Sequence, residues 1–318
     1  MYILTAKIEI KGAKTWIFDK VASVEIERNA ETLTDTCKIT LPKKVKWQGE
    51  TVIPIKRGDK VTVSLGYDGD PQLAFIGYVT TIGVKSPLVI NCEDEMFSLK
   101  QKAAEKKAYK SCNLETLLKE QNLGVSIKVF GEQNLGAYRV TVSTVAELLN
   151  ELKKNGIRSF FRYDTNGVPT LYSGVLFPKQ GSIKQCYKTG VNIISDDSLD
   201  QQKADDVKLK VKAVSLDRNN KKIAVEVGDA DGEKRTLQAY NKTESELKEW
   251  AKQELSRLKR DGLTGDFTTF GAILVDKLDT IGIILDGQKQ GTYQVNKNII
   301  TYDTGGFRQR ITIGDRIQ

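Results

Sequence analysis

Histidine is missing altogether from the 318 residues of this chain. It is the side chain that changes charge near neutral pH and the most frequent general base. Its absence removes the histidine-containing catalytic triads and any His-ligated metal centre. Cysteine is scarce too: Cys37, Cys92, Cys112 and Cys186 lie far apart with no C-x-x-C spacing, which suggests neither a zinc knuckle nor a redox pair. Cys37 and Cys92 sit in strand-like runs, where a free thiol behaves as a small hydrophobe, and a reducing setting during synthesis is expected. Only 6 prolines and no low-complexity tract occur, which argues against a disordered or linker-dominated chain. No apolar run approaches the roughly 20 residues that a spanning helix needs. The stretch through Lys7 has no basic segment followed by an apolar one, so neither membrane insertion nor a secretion signal is expected. There is no Gly-Lys-Ser/Thr phosphate loop and no G-x-S-x-G elbow, so neither of those chemistries is indicated. No residue stands out as catalytic, cofactor-binding or metal-ligating.

Hydrophobic residues at 39% and charged residues at 28% are ordinary for a globular protein, and the length allows two or three domains. Net charge is +8, from 49 basic and 41 acidic residues. A nucleic-acid site would cluster that charge, but it is scattered. The densest run, Lys100 to Lys110, has five lysines, one aromatic (Tyr109) and Glu105, and reads as a solvated helix or connector.

What the chain has in abundance is period-two alternation. Lys60 to Leu65 alternates, Gly66 to Pro71 supplies turn chemistry, and Ala74 to Val79 and Leu88 to Cys92 follow; three strands at short spacing make a meander. Tyr2 to Ile10, Thr15 to Phe18, Val21 to Glu27 and Thr36 to Leu41 precede it, so roughly seven strands by residue 92 are enough for a small barrel. A looser echo follows Asp276. Asp276-Lys277 opens a strand through Leu285, Asp286-Gly287 supplies a turn, and Gly291 to Val295 carries Gly, Tyr and Val in turn; Gly305-Gly306 and an alternating run to Ile313 complete it. One small β-domain used twice is expected.

Between the copies the pattern changes. Asn113 is a plausible N-cap for a helix carrying Leu114, Leu117 and Leu118. Thr144 to Glu147 forms a capping box before Leu148, Leu149 and Leu152, with Gly156 past the helix end. Strands are expected at 125–129, 138–142, 159–163 and 170–172, the last two as a hairpin about Asn166-Gly167. From Asp196 the β character returns. Val207 to Val214 alternates apolar with basic and pairs with Lys221 to Val227, and a helix capped by Thr243 and Glu246 carries Leu247, Trp250, Ala251, Leu255 and Leu258. That stripe would pack on the outside of the second barrel. The fold class expected is mainly β with an α+β insert. Two similar antiparallel β-barrels, residues 1–105 and 197–318 (with one long helix, 243–260), flank a small α/β domain at 106–196.

Short motifs carry little chemistry. Arg57-Gly58-Asp59 matches an adhesion tripeptide, but Gly before an alternating run is what the start of a strand needs. Asp229-Ala230-Asp231-Gly232 resembles the middle of a calcium loop, yet Val227 and Gln238 would fall where carboxylates are required; a hairpin turn between Ile223–Val227 and Arg235–Gln238 explains it better. Asn241-Lys242-Thr243 is a glycosylation sequon that doubles as the approach to a helix cap. The acidic pairs Asp94-Glu95, Asp196-Asp197 and Asp205-Asp206 are adjacent, so in a strand their side chains diverge, whereas a glycosidase needs two carboxyls converging across a cleft.

The segment Val21 to Pro42, with its TLTDTCKITLP run, resembles the N-terminal barrel of baseplate-hub proteins of contractile phage tails, and Phe75 to Val79 with Val89 to Asp94 fits the same barrel. Asp196-Asp197-Ser198-Leu199, Lys203-Ala204-Asp205, Gly291 to Val295 and Gly305 to Gln309 are similar to the second barrel. The family includes the late control protein D type and the hub part of type VI secretion spike proteins. The resemblance implies a homotrimer whose six β-domains ring a channel between the sixfold tail tube and the threefold central spike. It implies tube, spike and other baseplate proteins as partners, no cofactor, no catalysis, and DNA at most passing through. The location implied is the virion baseplate, assembled in the bacterial cytoplasm. No long C-terminal β-helix or lysozyme segment is visible, so spike and hydrolase would be separate proteins. A tail-associated cell-wall hydrolase and a nucleic-acid-binding β-protein are the alternatives; the latter predicts affinity falling steeply with salt.

Overall fold

The computed structural model describes residues 2–45, 47, 52–83, 85–175, 177, 182–216 and 221–317; Val84, in the turn expected over Gly83–Pro87, lies outside them. The chain is mainly β. Seven strands come first: β1 (Leu4–Lys11), β2 (Thr15–Phe18), β3 (Ser23–Asn29), β4 (Thr36–Thr40), β5 (Lys60–Tyr67), β6 (Asp70–Ile82) and β7 (Val89–Glu93). Their alternation is real: Val61, Val63 and Leu65 of β5 are buried, as are Ile8 and Ile10 of β1 and Val24 and Ile26 of β3, all in one core. A sheet whose inner face meets in a single cluster must curl.

The middle segment holds α1 (Met96–Gln101), β8 (Ala108–Asn113), α2 (Leu114–Glu120), β9 (Ser126–Phe130), β10 (Asn134–Arg139), α3 (Val145–Lys154), β11 (Arg158–Tyr163) and β12 (Pro169–Gly174). Both helix starts follow the expected caps: the Asn113 side chain accepts from Thr116 N, and Thr144 and Glu147 close a capping box. The apolar faces of α2 and α3 bury Leu117, Leu118, Leu148, Leu149 and Leu152 in a separate core. Two details differ from the sequence reading. The strand expected at 138–142 lies at β10, and the β11–β12 loop runs over Asp164–Val168 rather than two residues. There the Asp164 carboxylate accepts from Asn166 N and Val168 N, both at 2.8 Å, an Asx turn that overrides the Asn-Gly preference.

The remainder comprises β13 (Ile183–Lys188), β14 (Ile193–Gln202), β15 (Leu209–Leu216), β16 (Lys222–Gly228), β17 (Glu233–Tyr240), α4 (Glu244–Leu258), β18 (Gly262–Phe270), β19 (Thr280–Leu285), β20 (Gln288–Asp303) and β21 (Gly306–Arg316). β15 pairs antiparallel with β16 and parallel with β17, giving the order β16-β15-β17. The expected β16–β17 hairpin is therefore absent, because β15 lies between them. Thr243 and Glu246 cap α4 as expected. Leu247 and Ala251 bury against Val211 and Ala213 of β15, so α4 covers this small sheet and not the outside of a barrel. Both follow from one cause: a three-stranded sheet with an apolar face needs its own cover. Parallel pairs also occur at β9–β12, inside the span expected for the insert, and at β13–β19, where a strand from that span joins the sheet of the second half.

The two β halves repeat one strand order. In the first it is β1-β5-β6-β7-β4-β3, with β2 beyond β1; in the second it is β13-β19-β20-β21-β18-β14. Successive members correspond in chain order, with β15–β17 and α4 inserted where the first half has only the short β3–β4 connection. The repeat extends to local geometry. Asp68-Gly69 and Asp286-Gly287 both have positive φ at each residue (51° and 85°; 49° and 80°), the geometry of a type I′ hairpin turn. β6 is bulged against β7 between Val79 and Thr81, and β20 against β21 between Val295 and Lys297.

Candidate functional site

The two halves join through β3 and β20. β20 is long enough to pair with β19 in its first half and with β3, antiparallel, over Lys297–Tyr302. Ile300, Tyr302 and Phe307 from the second half thereby enter the first core. Lys297 bridges Glu27 across the junction at 2.8 Å, a half-exposed pair worth less than about 1 kcal/mol. The Tyr67 hydroxyl donates to the Phe307 carbonyl at 2.8 Å, and Gln72 Nε2 to the Ala272 carbonyl at 2.8 Å.

Beside this seam all three parts of the chain converge on the turn before β19, Asp276-Lys277-Leu278-Asp279. Lys277 is fully buried and its Nζ lies 2.6 Å from both carboxylate oxygens of Asp35. It also sits over the Phe160 ring of β11 at 5.0 Å. Asp35 is held in turn by Asp94: Asp35 N donates to Asp94 Oδ2 and Asp94 N to the Asp35 carbonyl, both at 3.1 Å. Arg162 of β11 donates to Asp279 at 2.7 Å and lies 3.5 Å from Asp276. Arg28 of β3 donates to the Val275 carbonyl at 3.3 Å, donates to the Ala74 carbonyl, and faces Asp276 at 3.8 Å. Ala30, Phe160, Phe177 and Leu278 pack as a small apolar cluster alongside.

Burial dominates the titration of these groups. It pushes the Asp94 carboxyl up to about 8, with the Asp35 charge adding to it. Burial also raises Asp35, against the pull of Lys277. Asp276 goes the other way: burial opposes its ionisation, but Arg28, Arg162 and Lys277 outweigh that and hold it below the usual carboxylate range. Burial raises the Tyr163 hydroxyl, which accepts from Glu95 N at 3.0 Å. A cleft of about 470 Å3 opens here, lined by Arg28, Asp94, Arg162, Asp276 and Asp279 among others. Arg28 and Arg162 in it face Asp276 and Asp279, so the arrangement ties β3 and β11 to the turn before β19.

Of the motifs read in sequence, Asp94 joins the cluster, as does the Asp276-Lys277 opening of the echo; Glu95 diverges from it and accepts from the Tyr78 hydroxyl at 3.1 Å. Asp196 and Asp197 lie on β14, and Asp205 and Asp206 on an exposed turn. Asp59 Oδ2 accepts from Lys56 N at 2.8 Å and Gly58 has φ 90°, so Arg57-Gly58-Asp59 is a capped turn before β5. In the calcium-like stretch, Asp229 takes Lys259 at 2.7 Å and Asp231 takes Lys208 at 3.0 Å. Thr243 of the sequon caps α4. Asp35, Arg28 and Arg162 are not singled out in the sequence, and Lys277 appears there only as part of a strand opening. A lysine next to the aspartate of an otherwise apolar strand start was their one available signal.

No protein-family model matches the sequence, and no curated protein matches it. Solved structures do match, over nearly the whole chain. A tail protein from Neisseria meningitidis MC58 matches with a TM-score of 0.69 and 14% identity, covering 99% of this chain and 97% of that one. The 43 kDa tail protein of prophage MuSo2 from Shewanella oneidensis matches with a TM-score of 0.63 and 17% identity, over 96% and 97%. The E. coli c3393 protein, a type VI secretion component described as structurally similar to the T4 tail proteins gp27 and gp5, gives 0.58 and 10%, over 98% and 77%. The chain thus shares its fold with these phage-tail and type VI secretion proteins, as the resemblance implied.

Proposed function

We propose that this chain is a structural hub of a contractile-tail baseplate: three copies form a pseudo-sixfold ring that joins the tail tube to the central spike. The repetition of one strand order and one bulge in both halves carries the reading. Three chains with two like units each offer six near-equivalent faces to a sixfold partner while keeping threefold symmetry for another. The full-length likeness to tail proteins supports it as analogy of fold. The expected spans 1–105, 106–196 and 197–318 serve on this reading as ring unit, insert and second ring unit, except that β13 and the start of β14 go with the second unit, in whose sheet they pair. The partners are further copies of the chain, tube, spike and other baseplate proteins, and the location is the virion baseplate, after assembly in the bacterial cytoplasm. DNA at most passes through the ring. The role is mechanical, and the Asp35–Lys277 cluster clamps the insert and the two ring units of one chain together.

Co-expression with the tube and spike proteins of the same tail, followed by native mass spectrometry of the purified complex, tests the reading. Three copies per spike trimer are expected. A single copy or six copies, or cell-wall lysis by the purified chain, would count against it and favour a tail-associated hydrolase. Binding to DNA that weakens steeply with salt would favour the nucleic-acid reading.

A further inference from the structure

The seam inside one chain specifies the seam between chains. β3, the last strand of the first unit, uses its outer edge to pair with β20. In the second unit β14 holds the place of β3: it has β18 on one edge, and among the described residues no further strand follows it, an isolated bridge of Ile193 to Thr189 apart. In the first unit β6 holds the place of β20. Its pairing with β5 ends at Tyr78, and Val79 is bonded to the turn at Gly58 and Asp59. Thr80 to Gly83 therefore lie beyond β5, as Lys297 to Tyr302 lie beyond β19.

Resting on the ring reading, we propose that β14 of one chain pairs antiparallel with the end of β6, Thr80–Ile82, and with Gly83 just past it, in the next copy. The ladders fix the register. Thr81 pairs through Asn91 and Lys38 to Glu25; Lys297 pairs through Thr312 and Asp266 to Ser198. Thr81 thus stands for Lys297, and Ser198 for Glu25. Since Lys297 lies opposite Asn29 and Ile299 opposite Glu27, Thr81 comes opposite Gln202, and Gly83 opposite Asp200.

Charge fits this pairing. β14 carries Asp196, Asp197 and Asp200 and is bulged twice against β18, the kind of edge that resists indiscriminate strand pairing. The facing end carries exposed Lys85, with exposed Lys43 and Lys44 beside it, where Ser86 Oγ donates to the Lys43 carbonyl at 3.1 Å. Ile194, 36% exposed, adds apolar surface on the β14 edge. The contact is heterologous, so every copy gives one edge and receives another, and it closes at three if each step repeats the step inside the chain.

Paired cysteines test it. Thr81→Cys and Gln202→Cys, with exposed Cys186→Ser, would be oxidised in the complex co-expressed with tube and spike. Directly opposed strand residues lie within disulfide reach. Asn29→Cys with Lys297→Cys is the control and should close within one chain. A ladder that stops at three covalently joined chains is expected. On the surface, Lys85→Glu should lower the yield several-fold, and Asp200→Lys added to it should restore the yield. A trimer by native mass with no Thr81–Gln202 cross-link overturns the edge pairing and leaves the ring intact. A ladder continuing past three supports the edge pairing and overturns the closed ring. A complex with neither trimer nor cross-link overturns both.

Discussion

Val79 and Val295 stand at the same point of two hairpins. The Val79 amide donates to the Asp59 carbonyl at 2.9 Å and its carbonyl accepts from Gly58 N at 2.8 Å; Val295 does the same with Asp279 and Leu278, both at 2.8 Å. The turns before the two strands match as well, with Asp59 Oδ2 and Asp279 Oδ2 each accepting, at 2.8 Å, from the amide three residues earlier. Gly58 at φ 90° is replaced by Leu278 at φ 68°, so the second copy keeps a left-handed backbone without glycine. The counterpart of Asp59 is thus Asp279 and not Asp276, with which the sequence echo began.

Lys277→Met is expected to destabilise the chain by about 3–5 kcal/mol, because it leaves the Asp35 carboxylate buried without its cation. Asp35→Asn combined with Lys277→Met should recover a good part of that loss, since no lone charge remains. Urea midpoints of the two variants and the parent check this. A single-variant loss as small as that of a surface pair would show that Lys277 is not buried as described.

The pH dependence of stability should carry a mark of Asp94. Its folded value of about 8 lies above the ordinary value of about 4. The folded state therefore holds a proton that the unfolded chain releases. The associated stability is complete below about pH 4 and is lost as pH rises through about 8. Asp94→Asn, which imitates the protonated carboxyl, should flatten that slope. Urea denaturation at pH 5 and pH 8 measures it, and an unchanged slope in the variant would sink the assignment.

Gln309 holds the loop before Val275 from inside. Its Nε2 donates to the carbonyls of Phe270 (3.1 Å) and Ile273 (2.8 Å), and its Oε1 accepts from Val275 N (3.1 Å) and Asn298 Nδ2 (2.8 Å). Gln309→Leu is expected to cost about 3 kcal/mol through the buried polar groups it strands, with faster amide exchange over 270–275. Exchange unchanged there would mean that the loop is held by other contacts.

Much of the local structure was legible in the sequence. The seven strands to residue 93, the Asp-Gly turns, the caps at Asn113, Thr144 and Thr243 and the echo after Asp276 all follow from period and turn chemistry. Hidden were the contacts between distant segments. Lys277 and Asp35 lie 242 positions apart, and nothing local to either one names the other as its partner. The β16–β17 turn looked like a hairpin because turn residues mark a reversal, without saying which strand the chain will lie beside.

By itself, then, the sequence determined which stretches become strands and helices, since those rest on side-chain period and on backbone preferences within a few residues. It also carried the repetition, as an order of motifs. Only the tertiary structure decided that β20 reaches past β19 to pair with β3, and that four aspartates, a lysine and two arginines meet beside that seam. Such choices depend on which hydrophobic faces and opposite charges can be buried together, a property of the whole chain packed at once.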